Sequence, residues 1–400
     1  MKGIGVGLPR GTGRGYNGTS WRVPLADLDY GPEEEAAVQQ VLRGRWLTMG
    51  AVTREFEERF AELLGVKHAL AVSNATVALH LSCLALGIGP GDEVIVPSLS
   101  FVATANAVLY TGAQVRFADI LSLNELTISP EAIEGQITPA TKAIIVMHYA
   151  GYPCRMKAVM EIASRHGLAV IEDTAHAPGA SLDGKSLGMW GDAGCFSFFS
   201  NKNLSTGEGG MLVTNRDDVA EQVRLLRSHG MTSLTWDRHR GHAYSYDVVA
   251  IGYNYRMDEI RAALGLVQLG KLPANNARRG QITEQYWAAL ENAAVGLPFR
   301  DTVVGCTHPR SPAYHIFPML LPEGVSRLPF IDSMRAAGIQ TSIHYPPIHQ
   351  FQVYREKYSN VALLRTEQAA EREITLPLYP TMTDEQIGWV VEAVRVGIKD

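Results

Sequence analysis

Cysteine is scarce in this chain. There are four in 400 residues, Cys83, Cys154, Cys195 and Cys306, and no two form a CxxC pair. Thiols so few and so far apart read as reduced cysteines of a cytoplasmic protein rather than as a disulfide framework. An excess of positive charge is lacking as well. Lys and Arg number 36 against 41 Asp and Glu, a formal net charge of −5, so no basic surface for nucleic acid is expected. Long apolar runs are missing too. The longest largely apolar window, 77–88, is too short to cross a bilayer and contains His80. Residues 1–20 are rich in glycine but have no apolar core, so they do not read as a signal peptide. Their glycines do not spell GxGxxG and no strand precedes them, which suggests a flexible arm and argues against a nicotinamide-linked oxidoreductase.

What is present is a chain that is 46% hydrophobic, enough for a large core and more than one domain. Pro32 with Glu33, Glu34 and Glu35 opens a helix that ends near Arg43 and Arg45. A second helix over 54–64 places Phe56, Phe60 and Leu63 on one face, and Gly65 stops it. From residue 69 strand and helix alternate. Strands are predicted at 69–72, 94–96, 115–117, 143–147 and 168–171. Helices are predicted at 75–86 and 101–109, with a further stripe at Met156, Val159, Met160 and Ala163. Short, wholly apolar runs between helices predict an α/β fold with a mostly parallel sheet covered on both faces. Helices follow at 218–227, 257–272 and 282–290. After about residue 295 a smaller α+β unit is expected, with strands at 316–321 and 340–343, a helix near 330–337, and a last helix opened by the capping box Thr383 and Gln386. The expected division is an arm over 1–25, a large domain over 26–294 and a small domain over 295–400.

The chemistry centres on 196–210. An aromatic run there ends in Lys202, turn-prone residues follow, and another apolar run covers 211–213. This reads as two strands joined by a tight loop with one amine at its head. Such a lysine is either a solvated surface charge or, in a dry pocket, a nucleophile toward carbonyls. Three other places lie where ligands of open α/β sheets gather, beyond the carboxyl ends of strands. Ser73-Asn74-Ala75-Thr76 is either an ordinary helix cap or a cradle of free N–H groups for a phosphate. In Glu172-Asp173-Thr174-Ala175-His176 a carboxylate either caps the next helix or pairs with a protonated ring nitrogen of the kind pyridoxal phosphate carries. His176 is then a ring neighbour or simply a satisfied polar residue. Phe101 is either core or a flat surface for a ring. His239 and His242 have no carboxylate at ligand spacing and read as a polar loop, so no metal is expected.

Taken together and in this order, these stretches resemble the sugar aminotransferases of the DegT/DnrJ/EryC1/StrS family, which have the aspartate aminotransferase (type I) fold. The likeness runs from about Trp21 to the C-terminus. It includes Gly44-Arg45-Trp46-Leu47-Thr48, Gly91-Asp92-Glu93-Val94-Ile95-Val96-Pro97-Ser98, the Glu172 to Ala177 stretch and Phe196-Ser197-Phe198. It continues through Lys202, Gly207-Glu208-Gly209-Gly210, Gly252-Tyr253-Asn254-Tyr255-Arg256 and His344-Tyr345-Pro346-Pro347-Ile348-His349.

The resemblance implies roles. Lys202 would hold pyridoxal 5′-phosphate as a Schiff base. Asp173 would bind its pyridine nitrogen, and His176 would lie near its ring. Ala75, Thr76 and Ser197 would hold the phosphate, and Phe101 would stack on the ring. Asn254 would reach the cofactor of a second subunit, making a homodimer the active unit. The implied reaction moves an amino group from L-glutamate to a keto sugar, usually carried on a nucleoside diphosphate. Arg278 and Arg279 are candidates for the diphosphate, or else helix charges; His344 and Tyr345 are candidates for the sugar, or else packing residues. Two rivals share the fold: a sugar dehydratase, in which some relatives carry histidine at the Schiff-base position, and a regulator without catalysis. Lys202 speaks against the first, and Lys202 with Asp173 against the second. A cyclitol ketone as acceptor stays open.

Overall fold

In the computed structural model, which describes residues 21–232, 246–303 and 310–399, the short apolar runs become one seven-stranded sheet. The first twenty residues, His239, His242 and Cys306 lie outside the described residues. In chain order the strands are β1 (His68–Val72), β2 (Glu93–Pro97), β3 (Gln114–Ala118), β4 (Thr141–Met147), β5 (Ala169–Asp173), β6 (Ala193–Ser197) and β7 (Gly210–Thr214). Side by side they run β1-β7-β6-β5-β4-β2-β3. β7 is antiparallel to both neighbours, and the other pairs are parallel. The carboxyl ends of β1, β2, β4, β5 and β6 therefore share one edge with the start of β7.

Successive residues of a strand face opposite ways, and the core follows that alternation. Val94, Val96, Ala143, Ile145 and Ile171 pack on one face with residues of the helices Ala75–Ala85 and Ala103–Tyr110. Ile95, Ile144, Val146 and Val170 pack on the other with Met156, Val159 and Ile162 of the helix Met156–His166. Phe56 and Phe60, from the helix Ala51–Leu64, join Phe196, Met211 and Val213 beyond it. Both faces are dry, as a mostly parallel sheet requires. Cys83, Cys154 and Cys195 are free and buried.

Three expectations need correction. The tight loop between β6 and β7 is a long one, residues 198–209, because the aromatic run leaves the sheet after Ser197 and Phe198 turns into the core. The helices expected at 257–272 and 282–290 are one helix, Glu259–Leu290, which continues through Pro273. Proline removes one helical hydrogen bond. Here burial of Leu269, Leu272, Ile282, Tyr286 and Trp287 along the helix offsets that loss. The strand expected at 340–343 is reduced to an isolated bridge, Ser342 to Thr375. Side chains take over the ladder bonds there: Gln340 Oε1 accepts from Leu25 N–H, and the Glu373 carboxylate accepts from His344 N–H.

The last third of the chain is built on an antiparallel pair, β8 (Phe317–Leu320) and β9 (Glu373–Leu376), with the helices Arg327–Ala336 and Asp384–Gly397. The capping box of Thr383 and Gln386 opens the last helix as predicted. No helix among the described residues is long and apolar enough to cross a membrane.

Candidate active site

β5 ends in two carboxylates that face opposite ways. Glu172 is fully buried and accepts from the N–H groups of Gly188, Trp190 and Gly191, with His148 Nε2 3.0 Å away. It pins the segment that leads into β6. Asp173 faces the shared edge. Its Oδ2 accepts from Thr104 Oγ1 at 2.8 Å and its Oδ1 from Ala175 N–H at 3.2 Å. Burial pushes its pKa up, against the pull of these donors, the Lys202 amine and His148.

The helix Ala75–Ala85 starts directly after β1, and Asn74 Oδ1 caps Val77 N–H at 3.0 Å. The N–H groups of Ala75 and Thr76 have no partner among the described residues and open onto the same edge. Gly210 brings this helix start against β7. A Cβ on Gly210 would lie 2.5 Å from the carbonyl carbon of Asn74 and 2.8 Å from Ala75 N. Ser197 Oγ accepts from Phe199 N–H at 3.3 Å, which leaves its own proton for a ligand. Two free N–H groups at a helix N-terminus beside a hydroxyl form an anion site.

Lys202 stands on the loop between β6 and β7, the first residues of which turn back on themselves (Lys202 N–H donates to Phe199 O). The residue is only partly buried, yet burial of its amine dominates and lowers its pKa from 10.5 to about 7, with Asp173 pulling the other way. Near neutral pH this amine is thus poised between ammonium and free nucleophile.

Lys202, Asp173, Ala75, Thr76, Ser197, Phe101, His176, His344 and Tyr345 all line one cavity of about 480 Å3. Phe101 precedes its helix, is 54% exposed and so is not a core residue; its ring centroid is 5.9 Å from that of Tyr345. Tyr345 Oη is 2.9 Å from His176 Nε2, and His176 Nδ1 accepts from Ala150 N–H. Burial, the Lys202 charge and His344 hold His176 well below its ordinary pKa. His344, lowered to about 4 mainly by burial, has its Nδ1 2.8 Å from Thr375 Oγ1.

Arg278 and Arg279 are not part of this cavity. Arg278 donates to Met382 O and pairs with Asp384. Arg279 is buried and donates to the carbonyls of His315 and Leu378, so it acts as an internal brace. Asn254 is exposed and lies outside the cavity of its own chain. Sequence reading missed Thr104, Asn201 and His315. Thr104 is one more polar residue in an apolar helix. Asn201 directly precedes Lys202 in the chain, whereas His315 reaches the site only through the tertiary fold. Among the described residues no cluster could hold a metal ion.

This donor set fits pyridoxal phosphate: an anion cradle, a buried carboxylate, an aromatic face and an amine of low basicity. Asn201 Oδ1, on the cavity wall, is buried without a partner and remains for a ligand donor.

Comparison with known proteins bears on the same cavity. A model of the DegT/DnrJ/EryC1/StrS aminotransferase family matches residues 29–395. Helicobacter pylori PseC, an aminotransferase involved in the biosynthesis of pseudoaminic acid, superposes with a TM-score of 0.87 at 31% identity, over 94% of this chain and 99% of its own. S. venezuelae DesV superposes with a TM-score of 0.83 at 34% identity, over 92% of this chain and 95% of its own. Spr1654 of Streptococcus pneumoniae, in its PLP form, superposes with a TM-score of 0.86 at 26% identity, over 94% and 98% of the two chains.

Proposed function

The chain belongs to the DegT/DnrJ/EryC1/StrS aminotransferase family, a family of pyridoxal-phosphate-dependent transaminases, and within it we propose that this enzyme moves an amino group from L-glutamate to a keto sugar. The acceptor we propose is a 4-keto or 3-keto 6-deoxyhexose carried on a nucleoside diphosphate. The observation that carries the reading is the meeting of Lys202, Asp173 and the open start of the helix Ala75–Ala85 in one cavity. The association of PseC with an amino sugar supports the acceptor class.

Pyridoxal phosphate, when bound, supplies a carbonyl carbon for the amine and a ring that draws electrons from the substrate's α-carbon. The N–H groups of Ala75 and Thr76 and the hydroxyl of Ser197 hold the phosphate. Asp173 accepts the hydrogen of the ring nitrogen and so keeps the proton there. Phe101 covers one side of the ring and excludes water from it. Lys202 Nζ would take the α-proton of the amino donor and, in the second half-reaction, would deliver a proton to the sugar carbon that receives the nitrogen; an amine near pKa 7 suits both directions. We further propose that residues 26–294 carry the cofactor while 295–400 contribute His344 and Tyr345 to the sugar.

The active unit in this proposal is a homodimer, with Asn254 serving the cofactor of the second subunit. The exposure of Asn254 supports it, as do Val248, Val249 and Ile251 nearby, of which Ile251 is 92% exposed. The test is incubation with glutamate and a panel of nucleotide keto sugars, read by mass. An amino sugar and 2-oxoglutarate are expected. Amination of cyclitol ketones alone, or loss of a hydroxyl without amination, would replace the acceptor class or the reaction.

A further inference from the structure

His315 Nε2 lies 3.4 Å from Lys202 Nζ, at the long end of hydrogen-bond range, and the reading of the sequence assigned this histidine nothing. The residue is buried. Its backbone is clamped from both sides: its N–H donates to Ala150 O, and its carbonyl accepts from Arg279. Its other ring nitrogen, Nδ1, is 2.9 Å from Asn203 Oδ1.

The direction of every bond behind it follows from two backbone carbonyls, which can only accept. Pro178 O accepts from Asn276 Nδ2 at 2.9 Å, so Asn276 Oδ1 is left as an acceptor. Asn203 Nδ2 donates to that Oδ1 at 2.8 Å and to Ala313 O at 2.6 Å. The amide of Asn203 therefore turns its oxygen to the imidazole. Nδ1 of His315 must carry the hydrogen, and Nε2 must present a lone pair to the amine. The charges that face the amine are Asp173, His176, His344 and His315 itself, and burial holds His315 well below its ordinary pKa, so the imidazole is neutral.

We propose that His315 is a positioning residue for Lys202, a locked-tautomer acceptor that takes a hydrogen from the lysine amine and aims it into the cavity, with Asn203 and Asn276 setting its polarity. The proposal rests on the reading of Lys202 as the reacting amine. A lysine freed from its carbonyl partner has four rotatable bonds and no direct ion pair within 4 Å among the described residues. An acceptor on a braced ring limits where the amine can go without fixing its charge, which a carboxylate at that place would do.

The experiment uses the full chain, free of cofactor and labelled with nitrogen-15 at histidine. Long-range hydrogen–nitrogen correlations distinguish the two tautomers directly, and the signals missing from His315→Gln assign the residue. The expected result is a hydrogen on Nδ1 and none on Nε2 at neutral pH. A hydrogen on Nε2 overturns the proposal.

Two variants then separate position from packing. His315→Phe keeps the ring volume and removes the acceptor; His315→Gln offers a carbonyl oxygen near the place of Nε2. His315→Phe is expected to lower kcat about 10²-fold with little change in KM, and His315→Gln to recover about tenfold of that. Equal losses in the two folded variants overturn the proposal, and where either fails to fold the tautomer decides alone. Failure here leaves the proposed function standing, whereas multiple turnover by Lys202→Ala would remove the function itself.

Discussion

Thr104 Oγ1 donates to Asp173 Oδ2 at 2.8 Å, and Ser100 Oγ stands 2.6 Å behind Thr104. With its single proton committed to the carboxylate, Thr104 accepts from Ser100. A relay of two hydroxyls thus opposes the effect of burial on Asp173, and burial is the larger influence, so its pKa is raised on balance. Thr104→Val removes a bond to a charged group worth about 1.5–3 kcal/mol. The Asp173 pKa should climb further. The acid limb of the kcat/KM profile should move to higher pH by about one to two pH units. A profile that coincides with wild type would detach Thr104 from the carboxylate's role.

Asp173→Asn keeps the shape of the site and removes the anion. Cofactor binding should persist while kcat falls about 10²- to 10⁴-fold, the range for a lost acid–base contribution. An unchanged rate would take Asp173 out of the chemistry.

Lys202 links pH to stability in the cofactor-free protein. Its pKa is about 7 in the fold against 10.5 ordinarily. Between these values the unfolded chain binds more protons, so stability rises with pH across that window. Below it the amine is charged in both states and the penalty of burying it is fully present. Lys202→Met should therefore melt above wild type at low pH, with the gap closing as pH rises from about 7 toward 10.5. Melting curves across pH check this, and a constant gap would contradict the lowered pKa.

Gly210→Ala places a methyl 2.5 Å from the backbone of Asn74. Overpacking of this kind costs about 1–3 kcal/mol. The start of the helix Ala75–Ala85 must retreat, so affinity for pyridoxal phosphate should weaken about tenfold. Titration by fluorescence together with a melting curve would show both; an unaltered affinity would mean that the helix start does not hold the phosphate.

Mixed dimers test the shared site. Lys202→Ala and Asn254→Ala subunits should each be inactive or slow alone, and mixing them should restore about a quarter to a half of wild-type turnover per dimer if each site draws on both chains. No recovery on mixing would place a complete site within each subunit.

Much of the architecture was legible because its signals are local. The runs at 94–96, 143–147 and 168–171 are apolar on both faces; the first two lie inside β2 and β4, and the third overlaps β5 from Ala169. Lys202, Asp173, Ala75 and Thr76 stood out in the sequence because each sits at a strand end or loop where such chemistry gathers, and the fold brings them to one cavity. Pro273 misled, since its local penalty is visible in sequence while the burial of Leu272 and Tyr286 on the same helix is not. Arg279 misled in the opposite sense. A pair of arginines suggests an anion, and nothing local announces that the second is buried against two carbonyls. His315 left no trace at all, because its partner Lys202 is 113 residues away.

The back-to-back placement of Glu172 and Asp173 makes β5 intolerant of sliding. Shifted by a single residue, the strand would turn the loop-holding carboxylate toward the cofactor and drive the reactive one into the three N–H groups of Gly188, Trp190 and Gly191. Architecture and chemistry are thereby tied to the same register: a chain that pairs β5 wrongly against β4 loses its structural anchor along with its activity, and a misfolded subunit should not persist as a stable but silent copy.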